Sequence, residues 1–370
     1  MIFLMDLPAP VHGMSNVNLA MTQLAKYSGL KPKIINTVPS YLSSIYPGVI
    51  WTSLKALHTF YCYIYLTISL VLSRRNTVYR PINGGIGQIY DLIYILISHL
   101  FGAKLYIHHH SFSYLNNKSR LFIILNKFAG HSATHIVLGE KMADLLQSLY
   151  GIERSQIKII SNLAFLESVK TRYLGTSETL QLGHLANLCT EKGVGLFIDV
   201  CDLLAGLNVN FVAKIAGPFT NKRTEKLVSD ALKKNPQIEY IGPLYGDKKH
   251  SFYATLDCFI FPSKYKNEAE PLVLYEAAMH GVFLIGTQCG CMQEVIAGLG
   301  GYSVNENENE NDHTVENLVD AIQREFQNNE LVNRRKMKRI DKFWHQKAYS
   351  EETAISLMDE MKNYDLPKTY

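Results

Sequence analysis

Short apolar runs alternate with helix-length amphipathic stretches along the chain, and this alternation limits the fold more than any other feature. "MIFLMDL", "PKIINTV", "NTVYRPI" and "AKLYIHHHSF" have the length and residue types of strands, and helix-length segments follow or separate them. Antiparallel neighbours can be joined by a tight turn, whereas parallel neighbours need a crossover, so a βαβ rhythm predicts parallel sheets. The rhythm restarts in the second half with "LQLGHLANL", "NFVAKIAGP", "QIEYIGPL", "DCFIFPS" and "VFLIGTQ". A chain of 370 residues is too long for one ordinary core. The expected architecture is α/β, with two doubly wound Rossmann-like domains facing a central cleft. Residues 1–168 form the first and 169–344 the second, and a helix at about 345–365 packs back on the first.

Composition narrows the function classes. Hydrophobic residues make up 47% and charged residues 19%, which describes a packing chain and not a disordered one. A formal charge of +4 suits anionic small molecules or an anionic membrane face and is too weak to argue for nucleic acid. The six cysteines show no CxxC pair and read as reduced core thiols. The first residues have no charged leader and read as a strand. "LKALHTFYCYIYLTISLVLS", residues 54–73, is long enough for a membrane span but studded with Tyr, Thr, His and Ser. It reads as a core or interface helix, and its aromatic residues before Arg74 and Arg75 also suit a surface resting on a bilayer. "NENENENDH", residues 305–313, is a solvated acidic loop, and the last few residues are expected to fray.

"NEAEPLVLYEAAMHGVFLIG" carries Glu268 and Glu276 with seven residues between them. Pro271 can open a helix from Leu272 to His280 that stops at Gly281. The free N–H groups of that helix start favour an anion. Carboxylates repel phosphate but accept well from vicinal diols, so the pair fits the hydroxyls to either side of a diphosphate. Read on spacing alone, the favoured reading makes Glu276 an ordinary half-buried ion-pair member and Glu268 a surface residue.

The flanks extend the pattern. "FPSKYKNEAEPLVLYEAAMHGVFLIGTQCGCMQEVI" resembles the donor-binding signature of retaining glycosyltransferases of family 4, the group 1 transferases of the GT-B fold. The matching positions are Pro262, Ser263, Glu268, Glu276, Ala277, Gly281, Gly290 and Glu294. "ANLCTEKGV", "KIAGP", "EYIGPL" and "IKIISN" resemble other motifs of the family, the last through Asn162. "PAPVHGMSNVN" is similar to the first loop of its bacterial polysaccharide-assembling members. The resemblance implies that Glu276 holds ribose hydroxyls and Glu268 holds hydroxyls of the transferred sugar. It assigns the diphosphate to Lys192 and the amides of Leu272 and Val273, and has Gly13 allow close approach of the first-domain helix. Asn187 stands where the family has an arginine, which leaves more of the leaving group's charge to Lys192. Glu270 either faces solvent, the preferred reading, or helps to choose the donor sugar.

Three histidines end the strand "YIHHHSF", where at least one must face the core. By resemblance His110 fits best, and His109 next, a residue that orients the sugar and the acceptor hydroxyl; taken alone, each histidine fits a structural role at least as well. "NGGIGQIYD" is an incomplete dinucleotide fingerprint, since Tyr90 replaces its last glycine. Gly84 and Gly85 read as an acceptor-side loop or as a plain tight turn. The expected activity is metal-independent transfer, with retention, of a sugar from a UDP or GDP donor. The acceptor is a saccharide or polyprenyl-linked hydroxyl at the cytoplasmic face of the inner membrane, in O-antigen, capsule or exopolysaccharide assembly. No cofactor, metal or nucleic acid is expected. A GT-B epimerase and a non-catalytic sugar-nucleotide-binding module are the alternatives.

Overall fold

The computed structural model describes residues 1–9, 13–45, 48–72, 77–169, 179–305 and 314–365. The expectations for Arg74 and Arg75, for most of the acidic loop and for the last five residues lie outside these. The chain divides into two compact units: Met1–Leu166 with Ala348–Tyr370, and Glu167–Lys347.

The first unit alternates strands and helices: β1 (Ile2–Met5), α1 (Gly13–Tyr27), β2 (Lys33–Asn36), α2 (Val49–Val71) and β3 (Thr77–Ile82). It continues through α3 (Gln88–Leu100), β4 (Lys104–His109), α4 (Arg120–Ala129), β5 (Thr134–Val137), α5 (Glu140–Tyr150) and β6 (Ile157–Ile159). All pairings are parallel, in the order β2-β1-β3-β4-β5-β6. Strands buried on both faces need apolar residues at nearly every position, and β1, β3 and β5 are buried throughout.

The second unit repeats the plan with β7 (Leu180–Leu185), α6 (Val194–Gly206), β8 (Phe211–Ala216), α7 (Lys222–Lys234) and β9 (Ile238–Gly242). Next come α8 (Asp247–Ala254), β10 (Cys258–Phe261), α9 (Leu272–Ala278), β11 (Phe283–Thr287), α10 (Met292–Gly298) and β12 (Tyr302–Val304). Its parallel order is β12-β11-β10-β7-β8-β9. Two helices complete the chain, α11 (Thr314–Phe326) and α12 (Asn329–Asp365). The helix expected at about 345–365 is the last part of α12, which begins well before it, at Asn329.

Residues of α12 belong to both cores. Val332 and Phe343 are buried in the second unit. Ala354, Leu357, Met358 and Met361 join Phe3, Met21, Tyr79 and Tyr106 in one cluster of the first.

In each sheet the order reverses once, between β1 and β3 in the first unit and between β10 and β7 in the second. Connections leave such a point in opposite directions, so a crevice opens at the carboxyl ends of those strands. The loop before Gly13 and the loop holding Gly84 and Gly85 follow β1 and β3. Asn187 and Lys192 follow β7, and Glu268 follows β10.

Candidate functional site

Three loops at the carboxyl ends of β7, β10 and β11 lock together in the second unit. Gly193 has φ +85°, and a Cβ there would stand 2.1 Å from the Pro262 carbonyl oxygen. Gly290 has φ +55°, and a Cβ there would stand 2.2 Å from the Glu268 carbonyl oxygen. Only glycine permits both the left-handed backbone and this close approach. The Lys264 amide donates to the Glu191 carbonyl (2.7 Å), and the Cys291 amide to the Ala269 carbonyl (2.9 Å). The chain segments on either side of Glu268 are thereby fixed before any side chain is considered.

On this frame Lys192 and Glu268 meet. Lys192 Nζ lies 2.5 Å from Glu268 Oε2, which also accepts from Ser263 Oγ at 3.2 Å. The same ammonium sits 4.8 Å from the centroid of the Tyr265 ring, a cation–π contact. Glu268 is buried, not a surface residue. Asn187 is exposed on the loop that begins this arc.

Pro271 precedes α9 as its N-cap residue, with φ −72° and ψ 123°, so the helix begins at Leu272 as expected and ends two residues early, at Ala278. Leu272 and Val273 are half-buried in its first turn. Glu276, one turn on, is held by α8: Lys249 Nζ lies 2.5 Å from Oε1, and the Tyr253 hydroxyl donates to Oε2 at 3.0 Å. Glu276 thus makes the ion pair that its spacing alone allowed. Lys249 and Tyr253 were missed from sequence. Their i, i+4 spacing on a short helix places them on one face, and that was the available signal. Glu270 does not face solvent: it is buried, and Oε1 accepts from the Tyr275 hydroxyl at 2.5 Å.

In the first unit the histidines separate. His109 is fully buried, with Nδ1 2.8 Å from the Tyr114 hydroxyl and Nε2 3.0 Å from His135 Nδ1. Both ring nitrogens are engaged inside the core, so the expected catalytic and acceptor-side role of His109 gives way to a structural one. His108 is also buried, 2.6 Å from the Tyr79 hydroxyl. His110, past the strand end, is half-buried, and among the described residues its Nε2 has no hydrogen-bond partner. Desolvation holds the His110 imidazole down to about 3 and His135 to about 4.

Gly84 and Gly85 lie against the loop that follows these histidines. A Cβ on Gly84 would stand 2.5 Å from Ser113 Oγ and 2.8 Å from Ser111 Oγ, and the Gly85 amide donates to Ser113 at 3.2 Å. Beneath them the buried Arg80–Asp91 pair (2.6 Å) anchors the loop, since Asp91 also accepts from the Asn83 amide at 2.7 Å. Gly13 opens α1, is exposed, and among the described residues has nothing within 4 Å of a Cβ position, so their packing does not require a glycine there. Among the described residues no three His, Cys, Asp or Glu side chains gather as a metal site.

Residues 174–340, almost the whole second unit, match the family model "Glycosyl transferases group 1". No curated protein matches the chain by sequence. Solved structures do. A glycosyltransferase from Rickettsia africae superposes over 100% of this chain and 99% of its own, with TM-score 0.68 and 14% identity. Anabaena Alr3699/HepE in complex with UDP-glucose covers 97% and 99%, with TM-score 0.65 and 13% identity. Staphylococcus aureus TarM, solved with UDP among its ligands, matches 80% of this chain at TM-score 0.60 and 16% identity. This chain spans 59% of that longer protein. The chain therefore has the GT-B fold, with a second unit that matches the group 1 glycosyl transferases.

Proposed function

We infer that the protein transfers a sugar from a nucleotide-diphosphate donor to a hydroxyl acceptor with retention of configuration. The observation that carries this reading is the Lys192–Glu268 pair, set by two glycine-locked loops at the switch point of the sheet that matches the group 1 family. UDP or a UDP-sugar occupies several structural neighbours, which supports a nucleotide sugar as donor here.

Within this reading Glu276 accepts from the ribose hydroxyls and Glu268 from hydroxyls of the sugar. Lys192 and the first amides of α9 take the diphosphate. The lysine and the glutamate neutralise one another as they stand, and a donor draws on both: its hydroxyls satisfy the carboxylate while its phosphates satisfy the ammonium. Charge builds on the diphosphate as the glycosidic bond stretches, so a fixed ammonium stabilises the departing group more than the ground state. The acceptor hydroxyl attacks the oxocarbenium-like carbon from the face the diphosphate leaves, and its proton passes to the departing phosphate oxygen. Lys192 then carries the cationic work that Asn187 cannot supply, and no metal enters the scheme. The acceptor is a saccharide or polyprenyl-linked saccharide, and the place is the cytoplasmic face of a bacterial inner membrane during surface polysaccharide assembly. His110, past the end of β4, is assigned to the sugar and the acceptor on the same reading.

A thermal-shift panel of UDP- and GDP-sugars tests the donor, because a ligand bound only by the folded state raises the melting temperature. One nucleotide class is expected to stabilise the wild type, and Glu276→Ala to lose that shift. Release of nucleotide diphosphate is then expected to depend on added acceptor. Acceptor-independent conversion of the donor points to an epimerase, and a donor shift without turnover points to a binding module.

A further inference from the structure

We propose that the outer face of the α2–α3–α4 layer docks the first unit onto an anionic lipid bilayer. The buried side of α2 belongs to the protein: Trp51, Thr59, Cys62, Leu66 and Leu70 are all inside, and Cys62 Sγ reaches the Asn36 carbonyl at 3.5 Å. Its other side carries Leu57, Phe60, Tyr61, Ile64, Ile68 and Val71, each 46% to 68% exposed. These recur every three or four residues, so they form one stripe along a helix about 33 Å long. A helix integrated in this way lies on a bilayer and does not cross it, although α2 holds the one stretch among the described residues long and apolar enough to span. The face continues sideways. Ile89, Ile93 and Leu100 are exposed on α3, and Ile123 and Ile124 on α4. The connections between successive parallel strands from β2 to β5 all run the same way across the sheet, which puts these three helices in one layer.

Charge selects the occupant. Between Asp6 and Glu140 the chain has eleven Lys and Arg residues and one acid, Asp91, a net of +10 against +4 for the whole protein. Asp91 is fully buried against Arg80, so α2, α3 and α4 present no carboxylate to solvent. Lys118, Arg120 and Lys127 flank the exposed isoleucines of α4. A second copy would bring the same uncompensated cations together, and a partner helix would call for a narrow seam with charged flanks. Here the flank Phe60 is apolar and the face spans three helices. Apolar side chains bordered by cations fit an interface of acyl chains and anionic headgroups. The helix starts of this layer lie at the carboxyl ends of the strands, beside the loops of Gly84 and His110. Docking there would bring a lipid-linked acceptor to those loops, and that last step alone rests on the sugar-transfer reading.

The test is co-sedimentation of the full chain with vesicles of phosphatidylcholine alone or mixed with phosphatidylglycerol. The wild type is expected to bind the mixed vesicles far more strongly, and to release in high salt as headgroup attraction is screened. Phe60→Glu with Ile64→Glu, and separately Lys118→Glu with Arg120→Glu, should each weaken binding about tenfold or more. Donor-induced thermal shift reports folding and the nucleotide site independently, so a loss of docking with the shift retained concerns this face only. Wild type left in the supernatant with both vesicle types overturns the proposal. So does wild-type binding by either double variant, or a solution dimer that Phe60→Glu with Ile64→Glu converts to monomer.

Discussion

Lys192 and Glu268 have side-chain exposures of 22% and 11%, so both charges are largely withdrawn from water and their desolvation cost offsets much of their attraction. A pair so placed contributes a net of about 1 kcal/mol to stability. Glu268→Gln keeps the shape and the Ser263 contact and removes only the charge. Its melting temperature should barely move, while turnover falls by about 100-fold or more if the carboxylate meets the transition state. Equal losses of stability and activity would mark the pair as structural. Gly193→Ala asks the opposite question, of the frame and not the charge. Its Cβ would overlap the Pro262 carbonyl in a left-handed conformation, and about 2 kcal/mol or more of stability should go. Donor-induced thermal shift should weaken with it, since Lys192 is the adjacent residue. The sequence exposed Glu268, Glu276 and Lys192 because their flanks matched a family pattern. It could not expose the partnership of Lys249 with Glu276, since "DKKH" offers two adjacent lysines and only the orientation of α8 decides between them. Nor could it orient Glu270, whose direction depends on a Tyr275 hydroxyl reaching back from the helix.

Strand β4 and its neighbours carry an element-scale consequence. Burial, with repulsion from neighbouring rings, holds His108 and His109 well below the ordinary imidazole value, and burial alone brings His110 to about 3 and His135 to about 4. In the unfolded chain these rings take up protons near 6.5, so the folded state binds fewer protons below that pH. Stability is therefore full above about pH 7 and falls as pH drops through 6.5, by up to about 1.4 kcal/mol per pH unit for each such ring. Melting temperature measured from pH 7.5 to 5.5 at constant ionic strength should be level at first and then decline steeply. A flat profile would mean the rings are not buried together. Strand alternation revealed that some of these histidines face inward but not that Tyr114 and His135 complete the ring of His109, because those contacts come from other elements.

At the scale of the whole molecule, α12 is the element that belongs to both units. Up to Lys347 it is tied to the second: Arg339 donates to the Gly281 carbonyl at 2.9 Å and pairs with Glu325 at 2.7 Å. From Ala348 it closes the core of the first, where Met358 and Met361 are fully buried among Phe3, Tyr79 and Tyr106. Each unit has its own sheet and core, so each should melt as its own cooperative transition. Met358→Ala with Met361→Ala removes two buried side chains at about 2–5 kcal/mol apiece, against a typical total of 5–15 for a domain. The transition of the first unit should fall by about 10 °C or more, leaving that of the second in place. Ile322→Ala, in a buried site of α11, should do the reverse. Calorimetry with proteolytic mapping assigns the transitions, since early cuts in the double methionine variant should fall within residues 1–166. Both variants lowering one shared transition would show that the continuous helix welds the two cores into a single folding unit, because its two halves would then be unable to melt apart.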